Sequence, residues 1–81
     1  MSRITIIGAG AWGTGLAIVL GRGGRHEISL WVHETEVVES ISSRRVNELF
    51  LPGQIIPHSV IPTHDLADAL AGAGIVVSVM P

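Results

Sequence analysis

Residues 3–24 read RITIIGAGAWGTGLAIVLGRGG, and the reading of the middle six, Gly8 to Gly13, decides the fold. Ahead of them, Arg3 to Ile7 is a short apolar run rich in β-branched side chains, the pattern of a buried strand. Behind them, from about Ala11 to Arg22, Leu16, Val19 and Leu20 recur at helical spacing, and Gly23-Gly24 stops the helix. The three glycines therefore sit where a strand passes into a helix. Gly8 permits the sharp exit from the strand, Gly10 keeps a Cβ out of the way of a ligand, and Gly13 lets the helix pack close to the sheet. Amides at the helix start, which have no partner within the helix, then face an anion such as a diphosphate. A bare GxGxxG is weak evidence in a chain with ten glycines. Its position inside a strand-helix-strand unit of about thirty residues is what the dinucleotide-binding mechanism demands. A mere tight turn accounts for one glycine but not for three in register.

The same alternation continues downstream. Glu27 to Val32 reads as a second strand, and Glu34 to about Arg45 as a second helix with Val37, Val38 and Ile41 on one side. Its acids come first and Arg44-Arg45 last, an order that suits the helix dipole and needs no more than a solvated helix end. Val46 to Ser59 shows no period, and a connection of that length is usually functional when ordered. A short strand at Val60 to Ile61, a third helix over DLADALAGA capped by Thr63 or Asp65, and a fourth strand over GIVVSVMP complete the chain. Strands joined through helices need crossover connections, so the class is α/β with a mostly parallel, Rossmann-type sheet. The expected strand order is 3-2-1-4. It opens a crevice at the carboxyl ends of strands 1 and 4, where Gly8 and Pro81 lie. His58 and His64 fall on the flanks of the edge strand, away from that crevice.

Composition narrows the partners. At 81 residues there is room for one compact unit, and a chain so short hides only about 60% of its unfolded surface. Apolar residues make up 47% and charged residues 15%, with a net charge of −2, which suits a sheet buried on both faces. Five scattered arginines form no basic stripe, so nucleic acid and anionic membranes are not expected partners. There is no cysteine, hence no disulfide or thiolate metal site, which fits the cytoplasm. His26, His33, His58 and His64 never fall at ligand spacing, and no metal is expected. Arg3 precedes eighteen uncharged residues, and Ala9-Gly10-Ala11 resembles a signal-cleavage site. Only Ile4 to Ile7 is continuously apolar before it, however, against the roughly 7–15 residues a secretory segment needs.

Two further positions bear on the cofactor. Trp12 sits at the tip of the glycine turn, either filling a core or domain boundary or forming a wall of the dinucleotide cleft. At the end of the second strand, where an NAD site usually carries an acid for the ribose hydroxyls, the chain reads LWVHE. Val32 offers no anion to repel a 2′-phosphate, and His33 can donate a hydrogen bond to one. NADP is therefore expected to serve at least as well as NAD, unless Glu34 swings in as the ribose acceptor.

Taken together, GAGAWGTGLA, LWVHE, NELFLPG and DLADALAGAGIVVSVMP resemble the amino-terminal part of the bacterial NAD(P)-dependent glycerol-3-phosphate dehydrogenases. The resemblance runs over nearly the whole chain. It includes an aromatic before the third glycine, Leu30-Trp31, Asn47 with Phe50-Leu51-Pro52-Gly53, and Pro81. That family moves a hydride between C2 of sn-glycerol 3-phosphate and a nicotinamide, supplying phospholipid backbones. The resemblance implies that Gly8, Gly10, Ala11, Trp12 and Gly13 form the cofactor phosphate turn. It gives His33 to the 2′-phosphate or adenosine ribose, and Phe50 and Pro81 to the cleft rim. The partners it implies are NADP or NAD, a small phosphorylated substrate and a second copy in a homodimer.

Three features depart from the family. Gly15 stands where alanine is common, which weakens the helix by about 0.5–1 kcal/mol. The GRGGRHE turn is one residue longer than is usual in the family, which is expected to shift the adenosine-side contacts slightly. The catalytic lysine and the substrate-phosphate residues belong downstream of Pro81, and this chain has no lysine. Residues 1–81 are thus expected to be a partial dinucleotide-binding domain without the helical substrate domain, with no catalytic residue and no turnover of its own. Its fourth strand is expected to be an open apolar edge prone to self-association. Another hydroxyacid or ketoacid dehydrogenase, such as a ketopantoate reductase, and a stand-alone nucleotide-sensing module are the competing readings.

Overall fold

The computed structural model describes residues 2–8 and 10–79. Four strands, β1 (Ser2–Ile7), β2 (His26–Trp31), β3 (Val60–Thr63) and β4 (Ile75–Ser78), form one sheet in the order β3-β2-β1-β4, with every neighbouring pair parallel. Between them lie α1 (Ala11–Gly21), α2 (Thr35–Arg44) and α3 (Leu66–Leu70). A short 3-10 turn, Arg22–Gly24, follows α1. Helix α1 packs on β1, β2 and β3, α2 on β3, and α3 on β1, β2 and β3.

The central strands are buried on both faces. Ile4 and Ile6 of β1 and Ile28 and Leu30 of β2 join Ala17, Ile18, Val37, Ile41, Ile56 and Val60 in the main core. Alternation along β1 turns Thr5 to the other face, where its hydroxyl donates to the carbonyl of Ala69 in α3. Each fully buried aliphatic side chain here contributes about 1.5–3 kcal/mol. The edges differ: Ile61 of β3 and Ile75 and Val76 of β4 are exposed.

Several expectations change in detail. The buried face of α1 is Gly13, Thr14, Ala17, Ile18 and Gly21. Leu16 and Leu20 are only partly buried, and Val19 is 63% exposed. Close approach to the sheet selects small residues, so the most apolar stripe is not the packed one. Strand β3 runs two residues further than Ile61, and Val32 follows β2 rather than ending it, its N–H donating to Thr63 O at 2.7 Å. The third helix is five residues long. Asp65 caps it by accepting from the N–H of Asp68 at 3.1 Å, and Gly72, at φ 70°, follows its end. Arg45 is no solvated helix end, as shown below. His64, expected away from the crevice, follows β3 directly and so lies on the carboxyl rim of the sheet, two strands from β1. His58 precedes β3, at the opposite rim.

Candidate functional site

The carboxyl ends of β1 and β4 are neighbours, and the chain leaves β1 into α1 through the glycine turn. Gly8 takes φ 112°, a conformation costly for any side-chain-bearing residue. Its N–H donates to Trp31 O at 3.2 Å, which fastens the turn to the end of β2. Gly13 faces it so closely that a Cβ would stand 1.8 Å from Gly8 O. Gly10 is the N-cap, and a Cβ built there meets nothing within 4 Å. No side chain caps α1 and no acid stands in its first turn. The first helical amides are therefore left to an outside acceptor at the electropositive helix end. Ala9, at the middle of the turn, is outside the described residues.

Ala11 and Trp12 are exposed, Trp12 at 85%, so the indole fills no core of this chain. With Ala11, Gly15, Leu16 and Val19 it lines an open apolar groove of about 490 Å³ along α1. The groove is a hydrophobic surface beside the glycine turn rather than a polar pocket.

At the end of β2, Val32 is buried and His33 exposed. The His33 ring lies 6.1 Å from that of Trp31, tilted by 47°. The Trp31 indole N–H donates to His64 O at 3.1 Å, tying the rim after β3 to the rim after β2. Glu34 is the N-cap of α2, with no side-chain cap bond.

Residues 46–56 form a loop with its two ends together. Ile56 N–H donates to Arg45 O at 2.7 Å. The Arg45 guanidinium donates to the carbonyls of Ile56 (3.2 Å), Pro57 and Val60 (2.7 Å). Burial pushes the pKa of Arg45 below its ordinary value by desolvation. From this base the chain doubles back along α2, where the Ser40 hydroxyl donates to Val46 O and accepts from Glu48 N–H. Buried Asn47 then reaches α1, its Nδ2 donating to Thr14 Oγ1 at 2.8 Å. Its Oδ1 accepts from Phe50 N–H at 3.1 Å. Phe50 is 38% exposed near the loop tip.

A family model described as the NAD-dependent glycerol-3-phosphate dehydrogenase N-terminus matches residues 3–81. The chain belongs to this family. A glycerol-3-phosphate dehydrogenase, NAD(P)+, of Koribacter versatilis is 64% identical over 81 residues, covering 100% of this chain and 24% of the relative. One from Geobacillus kaustophilus is 46% identical over 81 residues, again covering the whole chain and 23% of the relative. Among solved structures, the glycerol-3-phosphate dehydrogenase of Coxiella burnetii superposes with a TM-score of 0.86 at 35% identity, over 95% of this chain and 23% of that one. That of Plasmodium falciparum gives 0.84 at 26% identity, over 96% and 24%. The chain spans about a quarter of the length of the curated relatives it matches.

Within this glycerol-3-phosphate dehydrogenase amino-terminal fold, Gly8, Gly10, Ala11, Trp12 and Gly13 come together at the start of α1. Phe50 is tethered to the same helix through Asn47 and Thr14. His33 stands apart, at the end of the neighbouring strand β2. Pro81 lies outside the described residues. Val79 N–H donates to Ile7 O at 2.9 Å, which brings the end of β4 to the end of β1. Thr14 and Arg45 went unrecognised as site-forming residues. Thr14 follows Gly13 directly, and a hydroxyl among the small residues of a packed helix face was the available signal.

Proposed function

We propose that these residues form the dinucleotide-binding part of a glycerol-3-phosphate dehydrogenase that interconverts dihydroxyacetone phosphate and sn-glycerol 3-phosphate. One observation carries the reading. The start of α1 has no side-chain cap and a Cβ at Gly10 meets nothing within 4 Å, while Gly13 is committed to backbone contact with Gly8, so among the described residues this helix end is open to a ligand. In this reading the amides of Ala11, Trp12 and Gly13 hold the diphosphate. His33 donates to the 2′-phosphate or adenosine ribose, and Phe50 and Pro81 border the cleft. Val32 and His33 put no carboxylate at the strand end, which supports NADP at least as well as NAD. When bound, the nicotinamide supplies the hydride chemistry.

The chain's own part is to bind and orient. The chain has five arginines and no lysine, and none of the arginines lies in the glycine turn. The proton donor for a C2 alkoxide and the groups for the substrate phosphate therefore come from the further length the relatives possess. Among the described residues no helix is long and apolar enough to cross a membrane; the lack of cysteine favours a cytoplasmic enzyme.

Fluorescence titration with NADPH and NADH tests the binding role, with saturable binding expected. A chimera in which this chain replaces the corresponding quarter of the Koribacter versatilis relative tests the activity. The chimera is expected to reduce dihydroxyacetone phosphate and the 81-residue chain is not. Failure of both proteins to bind either coenzyme would overturn the reading.

A further inference from the structure

The loop over residues 46–56 is the part of the chain whose construction exceeds what a simple connection needs. Its base is closed by Arg45, and its return path follows α2 through Ser40. Closed ends and internal hydrogen bonds, from Leu51 N–H to Asn47 O and from Phe50 N–H to Asn47 Oδ1, make it an Ω-type loop. The Asn47 side chain ties it to α1. That side chain is fully buried, and each of its polar ends is used. The amide nitrogen donates to Thr14, and the amide oxygen accepts from Phe50 N–H. A buried amide of this kind costs several kcal/mol unless satisfied, so its geometry is strongly held.

Thr14 belongs to the first turns of α1, one residue after Gly13, and its own N–H donates to Gly10 O at 3.0 Å. Two hydrogen bonds through one side chain therefore connect the backbone of Phe50 to the turn that starts at the glycines. We infer that Asn47 is a positioning residue for dinucleotide binding, latching the 46–56 loop onto the first turns of α1 so that Phe50 is fixed relative to the glycine turn. This rests on the dinucleotide reading above and adds to it a residue that touches no ligand itself. The gain is pre-organisation: a loop already held in its bound position has less freedom to lose when the ligand arrives.

Phe50 is the single phenylalanine of the chain, so labelling with 4-fluorophenylalanine yields one fluorine resonance that reports on the latch. In the parent chain this resonance is expected away from the free amino-acid position and to move when NADPH is added. Asn47→Ala and Thr14→Val should each bring it toward the free position and weaken NADPH binding at least fivefold. Thr14→Ser, which keeps the hydroxyl, should stay within twofold of the parent in affinity and keep the parent resonance. An unchanged resonance and affinity in Asn47→Ala would overturn the latch, as would a Thr14→Ser variant that behaves like Thr14→Val. A parent chain that bound no NADPH would sink the functional reading instead, while the resonance positions in the variants would still decide whether the latch exists.

Discussion

A Cβ placed on Gly13 would stand 1.8 Å from the carbonyl oxygen of Gly8, so α1 and the end of β1 meet backbone against backbone. At Gly10, three residues earlier, a Cβ meets nothing within 4 Å. Two glycines of one motif thus answer to different demands, the first to packing and the second to a space that is open in the chain alone.

That difference separates their variants. Gly13→Ala must push the helix off the sheet, and overpacking of this kind costs about 1–3 kcal/mol or more. Gly10→Ala meets no clash and changes only the N-cap, at about 1 kcal/mol or less, yet it fills the space proposed for the diphosphate. Urea denaturation should show the large loss for Gly13→Ala alone. Coenzyme titration should show at least tenfold weaker binding for Gly10→Ala, and normal affinity there would count against the placement of the diphosphate.

Gly15 offers the opposite case. It lies inside α1, and a Cβ there has open space. Gly15→Ala should therefore stabilise the chain by about 0.5–1 kcal/mol through helix propensity and a less flexible unfolded state. The midpoint of urea unfolding should rise with no change in slope, and a fall would reveal a role for the bare backbone at this point of the apolar groove.

The spacing of Gly8, Gly10 and Gly13 and the alternation of apolar runs with helical stretches were enough to read the strand order and the strand-to-helix turn, because glycine tolerance and crossover geometry are local rules. The packed face of α1 was not readable in the same way. Leu16, Val19 and Leu20 dominate by hydropathy, but contact with the sheet is made through Gly13, Thr14, Ala17, Ile18 and Gly21, where small size matters more than greasiness. The contacts of Arg45 and Asn47 were illegible for another reason. Their partners are backbone carbonyls and a hydroxyl 33 residues away, and no periodicity records a bond of that kind.

Arg45 makes its own prediction. It caps α2 in a left-handed conformation, φ 56°, and closes the loop by donating to three carbonyls. Hydrogen bonds from a charged donor contribute about 1.5–3 kcal/mol each and are not additive. Arg45→Met, which keeps the stem, should cost about 2–4 kcal/mol in thermal or urea unfolding on that basis. Arg45→Lys should recover less than half of it, since an ammonium cannot span the three acceptors as a planar fork does. A loss below about 0.5 kcal/mol, the range of an ordinary surface substitution, would show that the clamp carries no weight.

On the proposed reading, His33 sets the choice between the two coenzymes. It is exposed at the end of β2, beside the Trp31 ring, while the neighbouring Val32 is buried and no carboxylate occupies the strand end. An imidazole there can donate to a 2′-phosphate but gains little from the hydroxyl that replaces the phosphate in NADH. His33→Ala should thus weaken NADPH by about 1.5–3 kcal/mol, the range for a hydrogen bond to a charged group, and leave NADH nearly unchanged. His33→Asp should go further and invert the preference, because a carboxylate repels the phosphate while accepting from both ribose hydroxyls. Parallel titrations of both coenzymes against both variants check this. Equal losses for NADPH and NADH in His33→Ala would assign the residue to the shape of the rim and would leave Glu34, the N-cap of α2, as the acceptor for the adenosine ribose.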